Sequence, residues 1–236
     1  MIGPVINSAC IVTGALVGTY FGDRMGEAFR KKLILVFGCI NTGMGIFMIG
    51  KTQSLPPVVC ALLVGSLIGE LLRVEYAVTW LAHKAARLFS KVGTSSRAPL
   101  EFVQEQFSIF LVVFCASGLG FFGSMQEGIS GDMSMLLIKS LLDLPTAMFI
   151  AANVGGVIGA LAIPQFTIQA AVVLLAGFLS QYTTPSLISD FSGCGGFIML
   201  ATGLRTCGIT QFPILSMLPS LFLIMPFSAL WAHIFS

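Results

Sequence analysis

Charge is what this sequence has least of. Only 9% of its 236 residues are Asp, Glu, Lys or Arg, and its mean hydropathy is +0.96. A soluble domain carries about 25% charged residues. The deficit excludes a water-clothed globule, because a folded sphere of this size must still cover its surface with polar groups. A net charge of +2 leaves no basic field for nucleic acid. Histidine is nearly missing, at two residues. The six cysteines, Cys10, Cys39, Cys60, Cys115, Cys194 and Cys207, lie in apolar runs without CxxC or Cys/His metal spacing. They read as small packing residues, so neither a metal centre nor a cofactor is expected. Met1-Ile-Gly-Pro4 lacks the basic start of a signal peptide, and Met1 onward is read as mature protein.

What is abundant is apolar, 56% of the chain, and it comes in long uncharged runs. About 20 residues of helix cross the hydrocarbon. Met1–Gly22, Leu33–Gly50 and Thr52–Gly69 are three such runs, the third opened by Pro56-Pro57, where proline costs a helix least. Gln106–Gln126 is a fourth. Met133–Leu142 reads as a short apolar helix carrying Lys139. Leu144–Ser189 is long enough for two crossings, divided near Pro164-Gln165. Phe191–Leu204 is only about 21 Å of helix, so it reads as a short span or a re-entrant segment. Thr206–Ser236 holds the last span. The expectation is an all-α polytopic integral membrane protein, one transmembrane domain over 1–236 with about eight transmembrane helices.

Arg73–Leu100 is the long polar interruption. Val74, Val78, Leu81, Ala85 and Leu88 share one helical face, and His83, Lys84, Arg87 and Lys91 the other. That pattern suits a cytoplasmic amphipathic helix on an anionic leaflet, followed by the link Gly93-Thr-Ser-Ser-Arg97. With the N-terminus outside and eight crossings, Arg24, Arg30, Lys31, Lys32, Arg73, Lys84, Arg87, Lys91, Arg97 and Arg205 fall inside. Lys51 and Lys139 fall outside. Two likenesses hint at an internal repeat. Gly43-x6-Gly50-Lys-Thr52 resembles Gly196-x6-Gly203-Leu-Arg-Thr206 in inverted sense, whereas Gly14-Ala-Leu-Val-Gly18 and Gly155-Gly-Val-Ile-Gly159 run the same way.

Polar residues inside apolar runs carry the functional reading. Gly123-Ser-Met-Gln-Glu-Gly-Ile-Ser-Gly-Asp132 reads as a polar, flexible loop between apolar segments. Glu127, Asp132, Ser130, Gln126 and loop carbonyls offer hard oxygen ligands for a small cation; Asp132 alternatively caps the helix that follows. Asn7, Asn41 and Asn153 must find partners in hydrocarbon. They either tie helices together or line a polar path. Gly14, Gly18 and Gly22, Gly65 and Gly69, and Gly155 and Gly159 recur at four-residue spacing, which suits close helix packing. Glu70 is read as pairing with Arg73 at i+3. An enzymatic reading rests on Gly128-Ile-Ser-Gly131, which matches the G-x-S-G of rhomboid proteases, with His233 as base. The glycine context of the protease histidine is missing, so no catalytic residue is expected.

The whole chain resembles the YqgA/YdfK-type bacterial membrane proteins (domain of unknown function 554). The resemblance lies in Gly3-Pro-Val-Ile-Asn7 with its glycine ladder, Gly65-x3-Gly69-Glu-Leu-Leu72, Gly123–Asp132, and Gly195-Gly196 through Leu218-Pro219. The third is the most specific, and the family pattern accommodates Asp in place of Glu127. It implies a membrane protein, with members described as transporter candidates and no assigned activity. The combined expectation is an inner-membrane channel or secondary transporter for a small ion or polar solute, homo-oligomeric, with the lipid bilayer as its medium. The rivals are the Ser130/His233 hydrolase and a structural membrane subunit.

Overall fold

The computed structural model describes residues 1–21, 27–89, 107, 110–111, 114–115, 117–179 and 184–235. The link at 93–97, Gly22 at the end of the first run, part of the polar stretch 23–32 that follows it, and part of the run 106–126 lie outside them. So do the side chains of Leu81, His83, Ala85, Arg87 and Leu88. All regular structure in the described residues is helical: α1 (Ile2–Phe21), α2 (Glu27–Ile49), α3 (Leu55–Leu71), α4 (Val74–Phe89), α5 (Gly118–Ser130), α6 (Ser134–Val154), a 3-10 segment (Gly156–Leu161), α7 (Ala162–Leu179), α8 (Pro185–Thr206), α9 (Ile214–Met217) and α10 (Ser220–Phe235). Five of these stretches are long and apolar enough to cross a membrane, or six if α3 and the start of α4, bent by 51°, form one broken span. The chain is therefore polytopic and all-α. Val5, Leu16, Leu63, Leu67, Leu174, Leu175 and Phe178 are exposed on these helices, as a lipid-facing surface requires.

Contacts divide the chain into two units, Met1–Lys31 with Ala77–Ser180, and Lys32–Tyr76 with Gln181–Ser236. In the first, α1 runs parallel to α6. The glycine spacing explains how: Gly14 faces the Leu144 carbonyl and Gly18 the Met148 carbonyl, leaving no room for side chains. α6 ends at Gly155, whose φ of 94° and ψ of −179° belong to a region essentially reserved for glycine. The chain then reverses through the 3-10 segment, with Gly156 near Thr19 and Gly159 near Ala15, and α7 climbs back along α1. Ile11, Ala15, Phe107, Phe114, Ala147, Ile158 and Leu161 pack the core here.

In the second unit α2 and α8 pack antiparallel through glycines. Gly38 meets Gly203 and Cys207, and Gly45 meets Gly196 and Leu200. Gly65 and Gly69 of α3 seat on Ser220 and Ser216. Glu70 there accepts from Ser216 Oγ at 3.2 Å, rather than following the i+3 reading toward Arg73. At the other end of α8, Arg205 donates to the Phe212 carbonyl at 2.9 Å and lies 3.5 Å from Glu75.

Four boundaries differ from the sequence reading. Residues 123–130 are helical, and the expected loop shrinks to the three residues after Ser130, with Gly131 (φ 75°) closing α5 on the Glu127 carbonyl. Residues 133–142 are not a separate short helix but the start of α6, which keeps both Lys139 and Asp143 inside it. The chain divides at Gly155, whereas Pro164-Gln165 lie in α7; proline is tolerated in a first turn because its missing N–H has no partner there anyway. Finally, the 14-residue segment is the middle of α8, a continuous 22-residue helix of about 33 Å. It absorbs Asp190, which is paired inside the unit. The Gly14…Gly18 and Gly155…Gly159 likeness also ends at sequence, since one is α-helix and the other 3-10.

A β-carbon at Gly18 would lie 2.7–2.8 Å from backbone atoms of Met148, whereas one at Gly159 meets nothing closer than 3.5 Å. Gly18→Ala is expected to destabilise the detergent-solubilised protein by about 1–3 kcal/mol, and Gly159→Ala by less than about 0.5 kcal/mol. Thermal unfolding followed by intrinsic fluorescence checks this; equal midpoints would mean α1 does not seat on α6 through that glycine.

Candidate functional site

The first unit buries a polar network in its membrane-crossing helices. Asn7 of α1 (0% exposed), Lys139 (2%) and Asp143 (8%) of α6, and Gln165 (0%) and Gln169 (3%) of α7 converge. Helical spacing assembles it: Lys139 and Asp143 are i,i+4 on one face of α6, and Gln165 and Gln169 repeat that spacing on α7. Asp143 Oδ2 accepts from Lys139 Nζ at 2.6 Å, Asn7 Nδ2 at 2.9 Å and Gln165 Nε2 at 3.1 Å. Asn7 Oδ1 accepts from the Nε2 atoms of Gln165 and Gln169, the latter at 3.1 Å.

Asp143 lies about 14 Å along α6, near its midpoint, where an unpaired charge costs several kcal/mol. The Lys139 ammonium neutralises it. The lysine lies 5.8 Å from the Phe114 ring centroid, and its stem fills the space beside Gly120, whose β-carbon would come within 2.7 Å of Lys139 Cε. Gly120 belongs to the first turn of α5, which starts afresh at Ser117, an extended residue whose hydroxyl accepts the Gly120 N–H. A helix start thus adjoins the ion pair.

Of the candidate site residues read from the sequence, Asn7 alone joins this network. Glu127 is buried beside the start of α1, where its Oε1 accepts from the Met1 amino group at 2.5 Å and the Gly3 N–H at 3.3 Å. Asp132 is exposed and accepts from Gln126 Nε2 and from the Ser134 N–H and hydroxyl. Its role at the start of α6 is the capping one. Ser130 Oγ donates to the Gln126 carbonyl at 2.8 Å. His233 is exposed on α10. Asn153 is exposed and bonds back to the Phe149 carbonyl of its own helix. Asn41 belongs to the second unit, buried, with Oδ1 unpartnered among the described residues.

The second unit has its own buried carboxylate. Asp190 of α8 (0% exposed) accepts from the N–H groups of Gln53 at 3.1 Å and Ser54 at 2.7 Å and from Ser228 Oγ at 2.5 Å. Gln53 and Ser54 precede α3, whose first turn carries Pro56 and Pro57 and so has fewer free donors. The helix dipole adds to the attraction. This arrangement ties α8 and α10 to the start of α3.

Sequence reasoning missed Lys139, Asp143, Gln165, Gln169 and the pairing of Asp190. The signal for the first pair was present. Lys and Asp at i,i+4 inside an otherwise apolar run can neutralise each other, so neither has to end a span.

The buried pair makes a testable demand. Removing one partner of such a pair costs about 3–5 kcal/mol, whereas removing both charges is far cheaper. Lys139→Met is therefore expected to lose most of the folded protein on size exclusion, and Lys139→Met/Asp143→Asn to regain it with a coupling of at least about 1 kcal/mol. A double variant as damaged as the sum of the singles would mean the charges do not interact.

Comparison with known proteins supports the membrane assignment. Residues 2–229 match the family described as "Protein of unknown function (DUF554)". The chain is 41% identical over 236 residues to "Uncharacterized protein YqgA" of Escherichia coli (strain K12), covering all of both chains. It is 29% identical over 227 residues to "Uncharacterized membrane protein YdfK" of Bacillus subtilis (strain 168), covering 94% of this chain and 93% of the relative. No solved structure matches. With the whole length matched and several membrane-length apolar helices in place, the chain belongs to the DUF554 family and is a multi-pass membrane protein.

Proposed function

We propose that the protein passes a small ion or polar solute across the bacterial inner membrane, with the Lys139–Asp143–Asn7–Gln165–Gln169 network at the centre of the path. The observation that carries this reading is the burial of an ion pair with three amides in the middle of membrane-crossing helices. Ionisable side chains at that depth are costly, face bundle interiors or water-filled paths, and mark solute routes and relays. Close packing alone needs none of them: an apolar replacement of a buried pair is commonly neutral or stabilising. The helix start at Ser117 beside Lys139 adds support, because irregular backbone at membrane depth occurs where it is buried in protein or lines a cavity.

Glu127, Gln126, Ser130 and Asp132 stand toward the end of the first unit where α1 and α6 begin, and form the entrance in this reading. Asn153, bonded to its own helix, drops out of the path. The basic residues support an N-terminus outside. Once Lys139 is counted within a span, Lys51 is the sole basic side chain assigned to the outside, against ten inside.

Reconstitution in liposomes tests the reading. Across a panel of monovalent and divalent ions, amino acids and small polyols, wild type is expected to pass at least one solute. Asp143→Asn, normalised to folded and inserted protein, should pass it at least about tenfold more slowly. Asn153→Ala, outside the path, should stay near wild type. Absence of flux for the whole panel, or equal leak through wild type and Asp143→Asn, would leave a structural subunit as the better account.

A further inference from the structure

Each amide in the network has its orientation dictated by Asp143. An ionised carboxylate can only accept, so Asn7 must turn Nδ2 toward it, at 2.9 Å. That leaves Asn7 Oδ1 facing α7, where it accepts from Nε2 of both Gln165 and Gln169. Flipping Gln169 would set two carbonyl oxygens together. Flipping Gln165 would do the same and would also press an oxygen against Asp143. The orientations are thus forced by the network.

The consequence is a surplus of acceptors. Gln165 Oε1 and Gln169 Oε1 point away from the donors, are buried, and have no hydrogen-bond partner among the described residues. The two side chains are one turn apart on the same face of α7. Among the described residues of this unit, the unpartnered buried side-chain atoms are all oxygens: Gln126 Oε1, Glu127 Oε2 and these two. Unsatisfied buried acceptors call for a positive charge or a donor.

We infer that Gln165 Oε1 and Gln169 Oε1 are ligands of a monovalent cation, which names the solute class for the transport reading above and rests on it. Neutral amide oxygens are hard donors suited to alkali cations. Lys139 and Asp143 cancel, so the site begins neutral and one added charge is the least costly to bring into hydrocarbon depth. A divalent ion fits poorly. The described residues contain no group of three or more His, Cys, Asp or Glu to hold a metal. An anion at the two unpartnered Oε1 atoms would meet acceptors rather than donors.

The test is a binding measurement made separately from flux. Full-length protein in detergent is melted in N-methylglucamine chloride, then titrated at constant ionic strength with LiCl, NaCl or KCl. At least one alkali cation is expected to raise the midpoint saturably, by about 5 °C or more at a hundredfold excess over its Kd. Gln169→Met, confirmed monodisperse, should lose that rise, and Asn153→Ala, which lies outside the network and bonds only its own helix, should retain it. Identical midpoints in all four salts would overturn the site and leave water as the occupant. A Gln169→Met response equal to wild type would overturn it as well. Saturable binding without flux in the liposome assay would instead count against transport while leaving the cation site standing.

Discussion

The first unit depends on one carboxylate oxygen. Asp143 Oδ2 draws a lysine from its own helix, an amide from α1 and an amide from α7. Moving an ion into a medium without water costs several kcal/mol even after relaxation. A hydrogen bond to a charged group returns about 1.5–3 kcal/mol. Three such donors, one of them cationic, are therefore close to the minimum that makes the burial tolerable. Because the donors come from three helices, the carboxylate also sets register. A slip of one residue along α1 would rotate Asn7 by about 100° and take its amide out of reach.

That chemistry is available only because the backbones come close. Gly14 and Gly18 lay bare a strip of α1 on which the Leu144 and Met148 carbonyls rest, and the same strip brings Asn7, two to three turns earlier, within 2.9 Å of Asp143. In lipid there is no hydrophobic drive between helices, so dispersion over such close contacts and interhelical hydrogen bonds must hold them. Glycine spacing and the polar network are two parts of one interface. The second unit repeats the logic with other residues, pairing the α2–α8 glycine contact with Asp190.

How much of this was legible depends on what each residue signals by itself. The class of protein, the extent of α1 and the start of α3 at Pro56-Pro57 follow from apolar run length and proline chemistry, which are local. The packing role of Gly14, Gly18, Gly65 and Gly69 was legible for the same reason, whereas Gly155 and Gly159 serve the chain reversal, with ordinary room at Gly159. What failed was the rule that a charge ends a span. Asp143 divides Met133–Leu142 from Leu144–Ser189 in a run-length reading, because such a count assigns each charge its full cost in lipid, and Lys139 marks the helix before it as short. Their separation by four residues cancels most of that cost, and Asn7 and Gln165, 136 and 22 residues from Asp143, supply the rest. Asp190 misled in the same way: the N–H groups that satisfy it belong to Gln53 and Ser54. Glu127 stands out in the sequence for having no base nearby, and its partners lie at the start of α1, remote in sequence.

These three buried carboxylates are not equivalent, and the difference favours Asp143 as the working one. Asp190 is held by two backbone N–H groups at a helix start and one hydroxyl. Glu127 is held by the Gly3 N–H and the Met1 amino group. The N–H groups of Gln53, Ser54 and Gly3 sit at helix starts and cannot turn away without unwinding them, so these carboxylates act as pins. Asp143 is held entirely by side chains, each on rotatable bonds, and the amides behind it are polarised as a set. If a solute disturbs one donor, Asn7 and the two glutamines can reorient together while every helix stays in place. A polar cluster meant only to pin helices would gain from backbone donors. One meant to exchange partners with something passing through needs donors that move.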